Sequence, residues 1–371
     1  MPFYNDLRPD TDDKKVEFGL IFPNFSNEEK KRTIENLLTL RSSLSISIPR
    51  KTADRSLLLA SWNIKEFGHL KERLPESYFY IAEVISKFDL VAVQEVKSKL
   101  DDLFKVMKLL GSKWKYIITD ITEGTDGNRE RFAYIYDSRK VTPSGLSGEI
   151  VLWDKITEGS SIKQLKRTPA ITGFKAGWKS FAIINVHLQP GKKDDQTKKR
   201  KEEIRLLLKA LEEKKKKKHL WNENIIILGD MNLYKEDDDL VKLFDGAGFE
   251  ESTSLHGKFT NVSNNEVYDR IFYTQNDFFQ MVLNQQGEPV GNVLDVFNEV
   301  YTEAQRPAYH NIMLQHKDDP SNLTDDASFK KYYHSFWKRA QISDHNPIWL
   351  EIQIDSSDDF LNHKLKSFTG S

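Results

Sequence analysis

The chain has 371 residues, of which 38% are hydrophobic, 11% aromatic and 30% charged; this supports a sizeable core and excludes an intrinsically disordered chain. Its formal net charge is −1 and it has no cysteine, so no whole-molecule field draws it to nucleic acid, and disulfides, thiolate metal sites and a cysteine nucleophile are excluded. The start of the chain lacks the basic-then-apolar pattern of a signal peptide, and no stretch of about 18 apolar residues is present to span a membrane; the expectation is a cytoplasmic protein that binds no membrane.

In chain order, residues 1 to about 16 are polar and acidic, which predicts poor order. Ser26-Asn27-Glu28-Glu29 reads as a capping box opening a helix to about Ser43, with Ile34, Leu37, Leu38 and Leu40 as its buried stripe. Residues 1–55 are taken as an extension carrying this one helix. From Ser56 onward short apolar runs recur at Leu57–Trp62, Leu90–Gln94, Trp114–Thr119, Phe132–Asp137, Phe181–His187, Ile225–Gly229, Ile271–Thr274 and Ile348–Ile354. They are rich in branched and aromatic side chains, so they read as strands. Several are apolar throughout, as in sheets covered on both faces. Helical periodicity separates some of them, at Ser77–Phe88, Lys99–Leu110 and Gln196–Leu211. Strands and helices without strict alternation predict an α/β fold of two packed sheets flanked by helices. Lys214 to Lys218 is a run of five lysines, read as a solvated helix end where cations suit the helix dipole. Residues 56–356 form the expected main domain and 357–371 a tail.

The informative feature is what lies at the strand ends. Asn63 follows the first strand, Glu95 the second, His187 a later one, and Asp230 with Asn232 another; Asp344-His345 stands just before the last strand. One such residue is usually a turn former. Five strand ends that all supply oxygen or imidazole groups, if they converge, assemble a hard-cation site with acid–base partners beside it. An oxygen-rich, sulfur-free set favours Mg²⁺ or Mn²⁺ over zinc.

These blocks resemble those of the endonuclease/exonuclease/phosphatase superfamily, and within it the deoxyribonuclease I branch. Trp62-Asn63-Ile64-Lys65-Glu66-Phe67-Gly68, Gln94-Glu95-Val96, Asn185-Val186-His187, Gly229-Asp230-Met231-Asn232 and Ser343-Asp344-His345 follow in the family's order. Arg129-Glu130-Arg131-Phe132, Arg167-Thr168-Pro169 and Tyr268-Asp269-Arg270-Ile271 resemble three further blocks of the deoxyribonuclease I branch. The resemblance spans about Leu57 to the final strand and implies a four-layer α/β sandwich. It implies a metal-dependent phosphodiesterase, a DNA endonuclease of low sequence specificity that leaves 5′-phosphate and 3′-hydroxyl ends. The alternative on the same scaffold is a phosphatase or a lipid or inositol-phosphate phosphodiesterase.

The resemblance also implies roles. Glu95 leads the metal ligands, with Asn63 and Asp344 next and Asp230 close by. His187 and His345 are the acid and base, in an order left open, paired with Glu130 and Asp269. Asn232 and Arg167 hold the substrate phosphate, with Lys65 and Lys97 as further phosphate contacts.

The chain departs from deoxyribonuclease I in places. Lys65 and Lys97 stand where that enzyme has arginines, and lysine lacks the two-pronged grip on phosphate. Asn128 stands where a tyrosine stacks in the minor groove. Between Asp269 and Asp344 the chain is longer, with an aromatic-rich insertion at about 292–339. That insertion reads as packing over the sandwich end or as a lid. Together with residues 20–50 it is also a candidate docking surface for a protein partner.

Overall fold

A computed structural model of the chain describes residues 2–9, 19–68, 70–71, 73–122, 129–217 and 223–369. Among the described residues twelve strands run in chain order: β1 Ser56–Phe67, β2 Leu90–Lys97, β3 Trp114–Ile118, β4 Glu130–Asp137, β5 Thr142–Glu149, β6 Ala170–Ala176, β7 Lys179–His187, β8 Ile225–Asp230, β9 Glu250–Glu251, β10 Asp269–Tyr273, β11 Gly291–Val293 and β12 Ile348–Gln353. The helices are α1 Asn27–Ser47, α2 Pro75–Ser86, α3 Asp101–Leu110, α4 Asp154–Thr157, α5 Asp194–Lys216, α6 Asp238–Gly246, α7 His310–His316, α8 Asp326–Tyr332, α9 Lys338–Gln341 and α10 Ser357–Thr369.

The strands form two six-stranded sheets, in the orders β11-β12-β1-β2-β4-β3 and β5-β6-β7-β8-β10-β9. Each sheet is built around one parallel pair, β1 with β2 and β7 with β8, flanked by antiparallel neighbours. Alternation along the strands explains the layers. Leu57 and Leu59 of β1 and Ile226 and Leu228 of β8 meet in the core between the sheets. Leu58, Ala60 and Trp62 point the other way, into the core under α1, α2 and α3. Ile225 and Ile227 point outward beneath α5 and α6. The result is the expected four-layer α/β sandwich. Both parallel pairs put their C-terminal ends on the same edge, and the antiparallel strands β4, β10 and β12 begin there. All the strand-end residues singled out above therefore lie on that edge. Gly229 allows β7 and β8 to close up near it: its φ is +135°, and a Cβ there would collide with the Val186 carbonyl.

The structure corrects several expectations. Residues 2–9 are ordered: Asn5–Leu7 form a 3-10 turn, and Asp6 accepts the amides of Ile21 and Phe22 at 2.7 and 2.6 Å. The remainder of the acidic start, 10–18, lies outside the described residues, as do Asn128 and Lys218. The Ser26 capping box is present, but α1 runs on to Ser47 and buries Thr33, Leu37, Leu40 and Leu44. Ile34 is 38% exposed and Leu38 64%. The face that docks on α2 is rotated from the purely apolar stripe because Asn36 finds a polar partner in the interface, donating to the Tyr80 hydroxyl at 3.0 Å, while the buried Thr33 hydroxyl donates to the Glu29 carbonyl of its own helix at 2.7 Å. Strands β5, β6, β9 and β11 and helices α4, α6, α7, α8 and α9 escaped sequence reading. β5 is mostly exposed and holds Pro143 and two glycines, so it lacks any strand-like pattern. The tail is helical over Ser357–Thr369. The insertion is packing: Tyr301, Tyr309, Tyr333 and Trp337 are buried in the same core as α1 and α2, while Phe336 is 45% exposed. Among the described residues no helix is long and apolar enough to cross a membrane.

Candidate active site

Asn63 and Glu95 reach the edge through irregularities in regular sheet. β1 bulges between Asn63 and Phe67, and β2 bulges between Val93 and Val96. A bulge re-aims a side chain that the pleat would bury or expose. Backbone strain collects here as well. Among the described residues, six non-glycine residues have positive φ, and Glu66, Glu95, Arg129 and Asn232 border this edge. Such conformations persist where the surroundings over-determine them, commonly at functional sites.

Two imidazole–carboxylate pairs face a shared aspartate. His187 Nδ1 lies 3.0 Å from Glu130 Oε2, off the line of a well-formed hydrogen bond. His345 Nδ1 lies 2.8 Å from Asp269 Oδ2. The Nε2 atoms of the two rings lie 3.4 and 3.7 Å from the same atom, Asp230 Oδ2. Asn63 Nδ2 donates to that oxygen at 3.0 Å and to Glu95 Oε1 at 3.1 Å. Glu95 Oε2 accepts the Glu66 amide at 3.0 Å. Asn232 donates its amide to Asp230 Oδ1 at 3.0 Å and its Nδ2 to the Leu188 carbonyl at 3.1 Å.

The charges follow from these contacts. Burial disfavours a charged Glu130, but His187, Arg167 and Lys97 outweigh it and hold this carboxyl well below the usual range. Burial likewise opposes charge on His345, yet Asp269, Asp230 and Asp344 hold its pKa well above the ordinary value. Burial raises Asp269 against the pull of His345. Asp344 is lowered in spite of burial, by His345 and Lys65.

Arg167 spends Nε and Nη2 on Glu130, at 3.2 and 3.3 Å, and its buried Nη1 has no partner. Lys97 also turns to Glu130, at 3.3 Å, and Lys65 pairs with Asp344 at 3.0 Å. In this arrangement both lysines are engaged with carboxylates of the site. Acidic and imidazole ligand atoms form two close groups, Glu95–Glu130–His187 and Asp230–Asp269–His345, and Asp344 belongs to neither.

Sequence reasoning assigned no role to three supports inside the same blocks. Ser343 Oγ donates to the Asn63 carbonyl at 2.7 Å and accepts the amides of Lys65 and His345, both at 3.1 Å. Gln94 Nε2 donates to Asn185 Oδ1 at 2.6 Å beneath the site, tying the two sheets together. Trp62 Nε1 donates to the His345 carbonyl at 3.0 Å. Their only signal was adjacency to more obvious residues.

The donor set fits a divalent cation. Asn63 Oδ1 is buried without a hydrogen-bond partner, while Nδ2 bridges two carboxylates. The amide nitrogen thus fills the place of positive charge between Glu95 and Asp230, and turning the amide over would present Oδ1 there instead. An all-oxygen set of this kind suits a hard ion such as Mg²⁺.

No family model matches the chain. Among curated proteins it is similar to deoxyribonuclease-1 of Homo sapiens, 27% identical over 144 residues, covering 37% of this chain and 49% of that protein. The similarity to deoxyribonuclease-1 of Canis lupus familiaris is longer, 23% identical over 248 residues, covering 63% of this chain and 82% of that protein. In the first of these matches, and in that to the Bos taurus protein, the chain spans about half the relative's length, 49% in each. A solved endonuclease/exonuclease/phosphatase family protein from Bacteroides thetaiotaomicron is similar with a TM-score of 0.50 and 19% identity, over 81% of this chain and 98% of that one.

Proposed function

We propose that this chain, which has the deoxyribonuclease I-like fold of the endonuclease/exonuclease/phosphatase superfamily and sequence similarity to its deoxyribonuclease branch, is a metal-dependent phosphodiesterase that cuts DNA. The observation that carries the reading is the pair of carboxylate-backed imidazoles converging on one oxygen of Asp230, next to the Asn63–Glu95 pair. Phosphodiester hydrolysis needs a proton acceptor for water, a proton donor for the leaving oxygen and a sink for charge on phosphorus.

His345 suits the donor role, because Asp269, Asp230 and Asp344 raise its pKa well above the ordinary value and so favour the protonated ring. His187 then takes the acceptor role, its Nδ1 turned to Glu130 and its Nε2 to Asp230. Water attacks phosphorus and gives its proton to His187, the P–O3′ bond breaks, and His345 protonates the departing 3′ oxygen. The products are a 5′-phosphate and a 3′-hydroxyl. Glu95 and Asn63 would hold Mg²⁺ or Mn²⁺, with Asp344 released from Lys65 as a further ligand; once bound, the ion supplies positive charge against the non-bridging oxygens. Arg167 Nη1, buried and unpartnered, is a ready donor to a phosphate oxygen, and Asn232 stands beside Asp230 to share that task. Lys65 and Lys97 contribute to phosphate binding only by leaving their carboxylates.

Incubation with supercoiled plasmid and Mg²⁺ or Mn²⁺ tests this directly. Nicking that EDTA stops and that Glu95→Ala and His187→Ala each reduce by at least about a hundredfold is the expected result. Wild-type protein that cuts neither plasmid nor short single strands under any divalent ion sinks the nuclease reading, and phosphorylated inositols become the next substrates.

A further inference from the structure

Arg73 lies before α2, outside every block that suggested the site, and its side chain is fully buried. Its guanidinium joins three segments. Nη1 pairs with Asp102 of α3, whose other oxygen accepts the Tyr78 hydroxyl at 2.7 Å. Nε and one Nη2 contact reach the carbonyls of Gln341 and Ile342, each at 3.3 Å, just before Ser343-Asp344-His345. The shortest contact to a carbonyl runs from Nη2 to Lys65, at 2.7 Å.

That last carbonyl belongs to the peptide whose N–H is the amide of Glu66, and the Glu66 amide donates to Glu95 Oε2 at 3.0 Å. One planar peptide thus has a guanidinium on its oxygen and the Glu95 carboxylate on its hydrogen. A cation at the oxygen polarises the amide and strengthens its N–H as a donor. The peptide also needs holding, because Glu66 has φ +43° while its side chain is exposed. Nothing about the glutamate side chain favours that left-handed conformation.

We propose that Arg73 is a positioning residue for Glu95, acting through the Lys65–Glu66 peptide to fix the carboxylate that receives the metal. The inference rests on the reading of Glu95 as a metal ligand. It names a role for a residue that touches neither metal nor substrate.

The test is Mn²⁺ affinity, measured by calorimetry or electron paramagnetic resonance on the full chain with the metal alone. Arg73→Met should weaken Mn²⁺ binding by about tenfold or more, the usual effect of removing an outer-shell partner. Arg73→Lys keeps the charge but cannot reach Lys65, Gln341 and Ile342 together, so it should also weaken binding, by less, and serves if the methionine variant does not fold. Adding Glu66→Gly to Arg73→Lys should recover part of the lost affinity, because glycine adopts positive φ freely; loosening of the core alone would not respond to a change at an exposed residue. Wild-type affinity in a folded Arg73→Lys protein, or no recovery with Glu66→Gly, overturns the proposal. Failure of wild-type protein to bind Mn²⁺, or undiminished binding by Glu95→Ala, overturns the Glu95 reading instead.

Discussion

Asp230 sits between two imidazoles, but the two histidines are held differently. His345 has Asp269 at 2.8 Å, with Asp230 and Asp344 adding to its negative surroundings. With a folded pKa well above the unfolded value of about 6.5, the charged ring contributes stability that is fully present below that value. The contribution is lost as pH rises through the folded pKa. In the metal-free protein, NMR titration should find His345 still protonated at neutral pH, and Asp269→Asn should bring its midpoint down. A His345 midpoint at or below the ordinary value would contradict the donor role. Glu130 behaves in the opposite sense. Its lowered pKa contributes stability that is present above the unfolded value of about 4.3 and lost as pH falls toward the folded one.

At the scale of elements, α1 and the insertion are fastened to each other as well as to the sandwich. Arg32 of α1 reaches Glu76 of α2 through Nε and Nη2 at 2.8 and 2.6 Å, and lies over the Tyr309 ring of the insertion at 5.0 Å. Tyr309 donates to Glu76 at 2.7 Å, and Gln305 to Asn36 at 2.9 Å. The two faces considered as docking surfaces thus contribute to one shared core. Arg32→Ala strands a buried carboxylate, which costs about 3 kcal/mol at pH 7 by urea unfolding. Burial already raises the Glu76 pKa against the pull of Arg32. Its ionisation therefore costs stability as pH rises from the unfolded value toward the folded one, and the variant should regain part of its loss near pH 5. A loss that is the same at both values would place the defect in packing.

For the whole molecule, the site is where two sheets meet at one edge, and six carboxylates gather there: Glu95, Glu130, Asp230, Asp269 and Asp344, with exposed Glu66 beside them. Lys65, Lys97, Arg167 and the histidines offset part of this repulsion. A divalent ion that binds only the native state adds about 2.7 kcal/mol at one hundred times its dissociation constant. Thermal melts should therefore move upward with Mg²⁺ in the wild type and stay put in Glu95→Ala. Equal shifts in both would place the ion elsewhere.

The sequence by itself determined the central strands, because runs such as Leu57–Trp62 and Ile225–Gly229 are apolar on both faces and admit few other readings. It also determined which polar residues interrupt those runs at their ends, since a carboxylate or imidazole stands out against an apolar strand. What only the tertiary structure decided depends on partners distant in the chain. The docking face of α1 is set by its polar partners Glu76, Tyr80 and Tyr309 together with Leu37, Leu40 and Leu44, so only half of the expected stripe is buried. The engagement of Lys65 and Lys97 with Asp344 and Glu130 depends on strands separated by 33 to 279 positions. β5 is a strand because β6 offers it an edge, not because its residues prefer one. The unpartnered Asn63 oxygen and the Arg73 contact with the Lys65 carbonyl exist only once two bulged strands and the end of the insertion are brought together. Patterning along a chain reports burial, whereas hydrogen-bond geometry is a property of the assembled edge.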